Sequence, residues 1–217
     1  MTQAAAKLDS IAPVRGDRAG IFGQTGTGKT TLAQVLLQDR EYVVVCDPKR
    51  RINWPGFVQA DFRTLLKLDP IKVPKVVYKP TLAEIEENRG TVINAFFKWV
   101  YERENCTLYV DEMSLISRGD DYPRYYGACL QQGREKQIEV FSGSQRPMWI
   151  PQIAMSESEH VYCFYLKLEQ DRRKMEQLTG IPSEEIEELQ KQEFLYAPQS
   201  GDVVGPLRLQ ISSQLAA

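Results

Sequence analysis

Residues 23–30 read Gly-Gln-Thr-Gly-Thr-Gly-Lys-Thr, and this octapeptide constrains the fold more than any other stretch of the chain. A short apolar run, 19–22, precedes it, and 31–37 follow with apolar residues at helical spacing. Strand, glycine-rich loop and helix in that order are the context in which such a motif wraps a phosphate. Gly23, Gly26 and Gly28 let the backbone curl until its N–H groups and the positive end of the next helix face an anion. Lys29 is then placed to reach the β- and γ-phosphates of a nucleotide, and the Thr30 hydroxyl to ligate Mg²⁺. The expected binding loop is Gly23, Gln24, Thr25, Gly26, Thr27, Gly28, Lys29, Thr30 and Thr31, with ATP and Mg²⁺ as its ligands.

Past this loop, strand and helix patterns alternate. Buried-strand runs fall at 42–46, 73–78, 107–110, 138–141 and 161–165. Helical patterns cover 81–104, with an interruption at Gly90, then 125–136, 169–178 and 183–191. Thr81 with Glu84 three residues on is a capping box that starts the first of these. Segments 194–196 and 203–209, around Ser200-Gly201-Asp202, predict a C-terminal β-hairpin. The alternation predicts an α/β fold whose mostly parallel central sheet is covered on both faces and binds ligands at its carboxyl edge. Residues 1–16 are polar and irregular and are expected to form a flexible N-terminal arm, with 17–217 as a single domain.

Composition excludes several classes. A net charge of −2 leaves no global basic footprint, so any nucleic-acid contact is local or built by several copies sharing a surface. Four cysteines without a C-x-x-C pair, and a single histidine, argue against a metal centre or a disulfide framework. The apolar runs are too short to span a bilayer, and the N-terminus is not a signal peptide. A cytoplasmic protein is expected.

Further candidates follow directly after strands. Asp111 ends an apolar run, where an acidic residue holds Mg²⁺ through water. Glu112 beside it can orient and deprotonate an attacking water, a task of hydrolytic enzymes. Two acids opening a helix is the plainer alternative. Gln145 ends the next strand, where its amide can sense a γ-phosphate or serve only in a turn. Arg134 lies in the helical pattern ahead of that strand and, taken alone, reads as a surface charge.

The run Gln132-Gly133-Arg134-Glu135-Lys136-Gln137-Ile138, followed by Ser142-Gly143-Ser144-Gln145-Arg146-Pro147, resembles the FtsK–HerA superfamily of DNA-pumping ATPases. The phosphate loop, Asp47-Pro48-Lys49 and Asp111-Glu112 resemble the same superfamily, over about residues 18–175. The resemblance implies a three-layer RecA-like P-loop NTPase core. It makes Gln145 the γ-phosphate sensor and Arg134 the arginine supplied to a neighbouring subunit's nucleotide. The membrane helices and DNA-reading module of chromosome-segregation members, and the N-terminal β-barrel of archaeal repair members, are not expected in this chain. It is most similar to the genome-packaging ATPases of membrane-containing icosahedral viruses. The resemblance therefore implies a homo-hexameric motor that moves double-stranded DNA without sequence specificity into a preformed capsid. It would act in the host cytoplasm or be incorporated in the virion, with capsid vertex proteins as further partners. A cellular DNA translocase of the same superfamily, and an ATP-dependent assembly or switch protein, are the alternatives. After Asp47-Pro48-Lys49 the chain continues Arg50-Arg51-Ile52, without the glycine and glutamate of cellular members, which leaves the role of Lys49 open.

Three cationic groups are candidates for DNA contact: Lys49-Arg50-Arg51, Arg172-Arg173-Lys174, and the loop 118–124 with Tyr122, Tyr125 and Tyr126 nearby. Each reads equally well as solvated surface charge.

Overall fold

The computed structural model describes residues 10–86, 91–117 and 119–209. Its first strand, β1 (Arg18–Phe22), is buried at every position and leads through the glycine loop into helix α1 (Lys29–Leu37). Next come β2 (Val43–Cys46), β3 (Val58–Ala60), the short α2 (Phe62–Leu65) and β4 (Lys75–Tyr78). Helices α3 (Leu82–Glu86) and α4 (Val92–Arg103) lead into β5 (Thr107–Val110). Helix α5 (Arg124–Gln132) leads into β6 (Glu139–Ser144), and α6 (Gln152–Ser156) into β7 (His160–Phe164). The described chain closes with α7 (Glu169–Thr179), α8 (Ser183–Glu188), β8 (Glu193–Pro198) and β9 (Val204–Arg208).

The nine strands form one sheet in the order β3-β4-β2-β5-β6-β1-β7-β8-β9. Pairing is parallel from β3 to β7, then antiparallel for β7–β8 and β8–β9. Strand β2 shows why both faces are covered. Its Val43 and Val45 enter one core and its Val44 and Cys46 the other, because successive side chains of a strand point to opposite faces. One face packs Phe96, Phe97 and Val100 of α4 and Cys129 and Leu130 of α5 over Tyr78, Leu108 and Val140. The opposite face packs Leu32, Ala33, Leu36 and Leu37 of α1 over Ile21, Val45 and Phe141. The result is the three-layer, RecA-like arrangement of helices around a mostly parallel sheet, with the C-terminal hairpin β8–β9 extending one edge.

Several boundaries differ from the sequence expectation, each for a local reason. Of the helical pattern over 81–104, α3 covers Leu82–Glu86 and α4 Val92–Arg103; residues 87–90, with Gly90, lie outside the described residues. The capping box is present: the Thr81 N–H donates to Glu84 Oε2 at 2.7 Å and the Glu84 N–H to Thr81 Oγ1 at 3.2 Å. The helix expected over 125–136 stops at Gln132. Gly133 N–H still donates to the Cys129 carbonyl, but Ile138 N–H turns back to the Gly133 carbonyl at 2.8 Å and Gln137 has φ 56°. Arg134 therefore lies in a turn and not in the helix. Strand β3 was not anticipated; Val58 and Gln59 are exposed at the sheet's edge, so no apolar run marks it. Of the expected flexible arm, 1–9 lie outside the described residues. Within 10–16, Ile11 is buried in the α1-side core and its carbonyl accepts the Tyr162 hydroxyl, while Val14 and Arg15 are exposed. All four cysteines are buried and unbridged. Among the described residues no helix is long and apolar enough to cross a membrane.

Phe96 is fully buried, with its ring 4.5 Å from that of Tyr78 and 5.0 Å from that of Phe97. Phe96→Ala should therefore destabilise the fold by about 3–5 kcal/mol, read as a lower denaturant midpoint at unchanged slope. A shift under about 1 kcal/mol would mean that this face of the core repacks freely.

Candidate active site

The glycine loop leaves β1 pinned on both sides. The Gly23 N–H donates to the Ser144 carbonyl of β6 at 3.2 Å, and the Gln24 N–H to the Tyr165 carbonyl after β7 at 2.9 Å. Gly23, Gly26 and Gly28 all have positive φ, of 153°, 79° and 126°. A Cβ on Gly23 would lie 2.5 Å from Phe164 Cβ, and one on Gly28 3.1 Å from Leu209 Cδ1. The loop is also held from the C-terminal hairpin, because the Gln192 N–H donates to the Thr27 carbonyl at 2.8 Å. Helix α1 opens at Lys29 with no acidic residue in its first turn, so its positive end is left for a bound anion. Thr30 and Thr31, both half-buried, complete that first turn.

Lys29 Nζ folds back on the loop and donates to the carbonyls of Gly23 at 2.7 Å and Gln24 at 3.0 Å. Burial lowers its pKa to about 8, against the opposing pull of Glu112 and Asp111. Opposite it, at the carboxyl end of β5, Asp111 Oδ1 accepts the Tyr109 hydroxyl at 2.7 Å and lies 3.5 Å from Thr30 Oγ1. Burial holds the Asp111 carboxyl above the usual carboxylate range, only partly offset by Tyr109. A hydroxyl and a buried, charge-hungry carboxylate brought together beside a phosphate loop fit Mg²⁺, which binds through one or two protein oxygens, phosphates and water. Among the described residues no group of three or more His, Cys, Asp and Glu gathers to hold a metal by itself.

Glu112 is bound on both carboxylate oxygens. Its Oε1 accepts Ser114 Oγ at 2.7 Å, the Gln145 N–H at 2.9 Å and Ser144 Oγ at 3.0 Å. Its Oε2 accepts Lys49 Nζ at 2.6 Å. Burial would raise its pKa, but the donors, Lys49 and the Gln145 amide foremost, hold it below the usual range. The backbone of Glu112 is left-handed, with φ 64° and ψ 65°. Gln145, just past β6, accepts Thr25 Oγ1 on its side-chain oxygen at 2.7 Å, which ties it to the phosphate loop. Thr25, Gly26, Lys29, Thr30, Asp111, Glu112 and Gln145 line one cleft of about 130 Å³, joined by Lys49, Arg51 and Ile52. Three larger hollows, of about 490 Å³ beside Trp99 and Arg103, about 580 Å³ beside Arg172 and Glu187, and about 200 Å³ beside Arg40 and Glu139, lie apart from these residues.

Arg134 is not brought to the cleft. It is 60% exposed and pairs with Glu159 and, at 3.7 Å, with Asp17. Those acids precede β7 and β1, so Arg134 sits on the amino-end rim of the sheet. The six residues of β6 separate it from Gln145, about 20 Å at strand rise.

The cationic groups separate as well. Arg172 is buried, donates to the Leu166 and Lys167 carbonyls and pairs with Glu187 at 2.9 Å, so it is a structural residue. Tyr126 is buried, with its hydroxyl 2.6 Å from Ser142 Oγ, and Arg118 lies outside the described residues. Arg50 and Arg51 remain exposed on the loop after β2. Sequence reasoning missed Tyr109, Ser114 and Ser144, which hold the two acids, because a hydroxyl next to a motif carries no signal of its own.

Fold and cleft together define a RecA-like P-loop nucleotide-binding protein. No protein-family model matches the chain. It is similar to the DNA packaging ATPase P9 of Enterobacteria phage PRD1, at 27% identity over 176 residues, 76% of this chain and 71% of that protein. Among solved structures, the genome packaging NTPase B204 of Sulfolobus turreted icosahedral virus 2, in complex with sulfate, superposes with a TM-score of 0.70 at 16% identity, covering 90% of this chain and 98% of that one. VirB4 of Thermoanaerobacter pseudethanolicus superposes with a TM-score of 0.68 at 11% identity, covering 92% and 91%. The fold is shared with both, and the resemblance to viral packaging ATPases read from the motifs is borne out.

If the cleft binds nucleotide as its loop dictates, Lys29→Ala should keep the unfolding midpoint and lose tight ATP binding, since it removes the cation facing the β- and γ-phosphates. A calorimetric titration with wild-type affinity would contradict the assignment.

Proposed function

We propose that the chain is a Mg²⁺-dependent ATPase that assembles as a homo-hexameric ring and drives double-stranded DNA of any sequence into a preformed viral capsid. The observation that carries the reading is Glu112, a carboxylate fixed at the carboxyl edge of the sheet beside Asp111, Gln145 and the phosphate loop, in a chain similar to a protein named as a DNA packaging ATPase. Each residue then has one task. The loop amides and the end of α1 hold the phosphates, and Lys29 leaves its carbonyls for the β- and γ-oxygens. Thr30 and Asp111 would hold Mg²⁺, which neutralises charge on the phosphates. Glu112 takes the proton of the attacking water, and Gln145 reports the γ-phosphate to Thr25 and to the Glu112 carboxylate its N–H touches. Arg134, on the opposite rim, acts on the neighbouring subunit's nucleotide. The ring works in the host cytoplasm and docks on capsid vertex proteins.

The direct test is ATP turnover of the assembled protein with duplex DNAs of unrelated sequence at graded salt. Turnover should rise with each DNA and the rise should fade steeply with salt, as expected where cations meet phosphates and no base edge is read. Strong preference for one sequence, or indifference to DNA at low salt, would sink the motor reading. Glu112→Gln in the same assay should bind Mg-ATP yet lose about 10²–10⁴-fold in turnover.

The trans role of Arg134 has its own test. Arg134→Ala should fold, bind ATP and hydrolyse poorly, since arginine fingers contribute about 10³–10⁵-fold. Mixed with Glu112→Gln under subunit exchange, it should recover activity, because an intact base and an intact arginine then meet at mixed interfaces. No recovery, in a protein whose activity is shown by dilution to need assembly, means that Arg134 has no role at the neighbouring subunit's nucleotide.

A further inference from the structure

Arg134 is exposed, yet its guanidinium is held. Its Nη2 donates to Glu159 Oε1 and lies 3.7 Å from Asp17 Oδ1, while its Nε and Nη1 make no hydrogen bond among the described residues. The two acids come from adjacent strand starts. Strands β1 and β7 pair with Ala19 opposite His160, and Arg134 belongs to the turn ahead of β6, the other neighbour of β1. Both acids are mostly buried and fixed from below. Glu159 Oε2 accepts the Arg18 N–H at 2.6 Å. The Glu159 N–H donates to the Arg18 carbonyl at 3.0 Å, and its own carbonyl accepts the Gln199 N–H at 2.7 Å. Asp17 Oδ2 accepts the Val14 N–H at 2.9 Å and lies 3.1 Å from His160 Nε2, which leaves Oδ1 toward Arg134. Beneath them the buried Arg18 guanidinium donates to the Leu130 and Gly16 carbonyls and lies 3.7 Å from Glu159 Oε1.

An exposed ion pair adds little to stability. What this pair does is restrict where a long, rotamer-rich side chain can point. One nitrogen of the guanidinium rests between two fixed carboxylate oxygens, and the other two stay available as donors to an incoming phosphate. Donors ordered before the reaction stabilise developing charge better than donors that must be gathered during it.

We propose that Asp17 and Glu159 position Arg134 for the neighbouring subunit's γ-phosphate. This rests on the reading of Arg134 as an arginine that acts in trans. Both acids are positioning residues: they touch neither nucleotide nor reacting atoms and act through the guanidinium. The sign of their effect separates this role from a restraining one. Acids that held the arginine back would raise turnover when neutralised, whereas acids that aim it lower turnover.

The experiment is steady-state ATP hydrolysis by the assembled full-length protein, comparing wild type with Glu159→Gln, Asp17→Asn and Arg134→Ala. Each amide can still accept the backbone N–H that its carboxylate holds, and the denaturant midpoint checks that the fold is kept. Glu159→Gln should lower kcat by about 10–10²-fold, the scale of a small misplacement at a reacting centre. Asp17→Asn, at the longer contact, should lower it less, and both should leave ATP affinity unchanged. Glu159→Gln added to Arg134→Ala should slow it no further. Subunit mixing supplies a readout that a general loss of structure does not. Glu159→Gln should regain activity with Glu112→Gln and gain nothing with Arg134→Ala, because its defect lies on the arginine side of the interface. A subunit damaged in its own cleft gives the reverse pattern. That reverse pattern, a rise in kcat, or rates equal to wild type in both neutral variants overturns the proposal. If Glu159→Gln lowers the midpoint, Asp17→Asn carries the same mixing test. If Arg134→Ala itself turns over like wild type, the trans reading fails and this inference with it. If Arg134→Ala is slow while both acid variants are not, this inference alone fails.

Discussion

Parallel pairing around β1 is the constraint on which the site depends. With β6 on one side and β7 on the other, and with β2, β5 and β6 in continuous parallel register, five strands end on the same rim. Cys46 pairs with Val110, Val110 with Ser142, and Phe22 with Ser144. The next residues out are therefore Asp47, Asp111, Gln145 and Gly23, and no side chain needs to reach far. Antiparallel pairing anywhere in this set would send one of these groups to the opposite edge, about 20 Å away for a strand of six residues.

On that rim, adjacent carboxylates are given opposite characters by their surroundings. Asp111 meets burial with the Tyr109 hydroxyl as its close support, and its carboxyl is held above the usual carboxylate range. Glu112 meets similar burial with four donors and is kept ionised. The left-handed backbone that aims Glu112 at those donors costs of order 1–3 kcal/mol for a residue with a side chain. The hydrogen bonds to its charge, at about 1.5–3 kcal/mol each, offset that strain. Strain next to chemistry is tolerated where the surroundings over-determine the conformation, as four donors do here.

Much of this was legible from sequence because it is written in short, local patterns. The phosphate loop, the acids after β5 and the glutamine after β6 each follow an apolar run, and the alternation of runs sets the parallel sheet. What was not legible depends on contacts between distant residues. The pairing of Lys49 with Glu112 spans 63 positions, and the serines that hold Glu112 look like any others. Arg172 reads as a surface cation until its carbonyl partners and burial are seen. The polar run to Lys136 has helical composition and carries Arg134 with it, but the return of the Ile138 N–H to Gly133 ends the helix earlier. Strand β3 carries no apolar pattern because it lies on an exposed edge.

The phosphate loop itself is held from three directions: by β6 through Ser144, by the segment after β7 through Tyr165, and by the C-terminal hairpin through Gln192. A loop rich in glycine ordinarily has the most conformational freedom to lose when it closes on a ligand. Here that loss is met during folding, before any phosphate arrives, so binding energy is not consumed in ordering the loop. Preorganisation also couples two distant parts of the chain. Leu209 lies against Gly28 and Gln192 holds Thr27, so loosening the segments around Gln192 and Leu209 slackens the grip on phosphate without touching any residue that binds it.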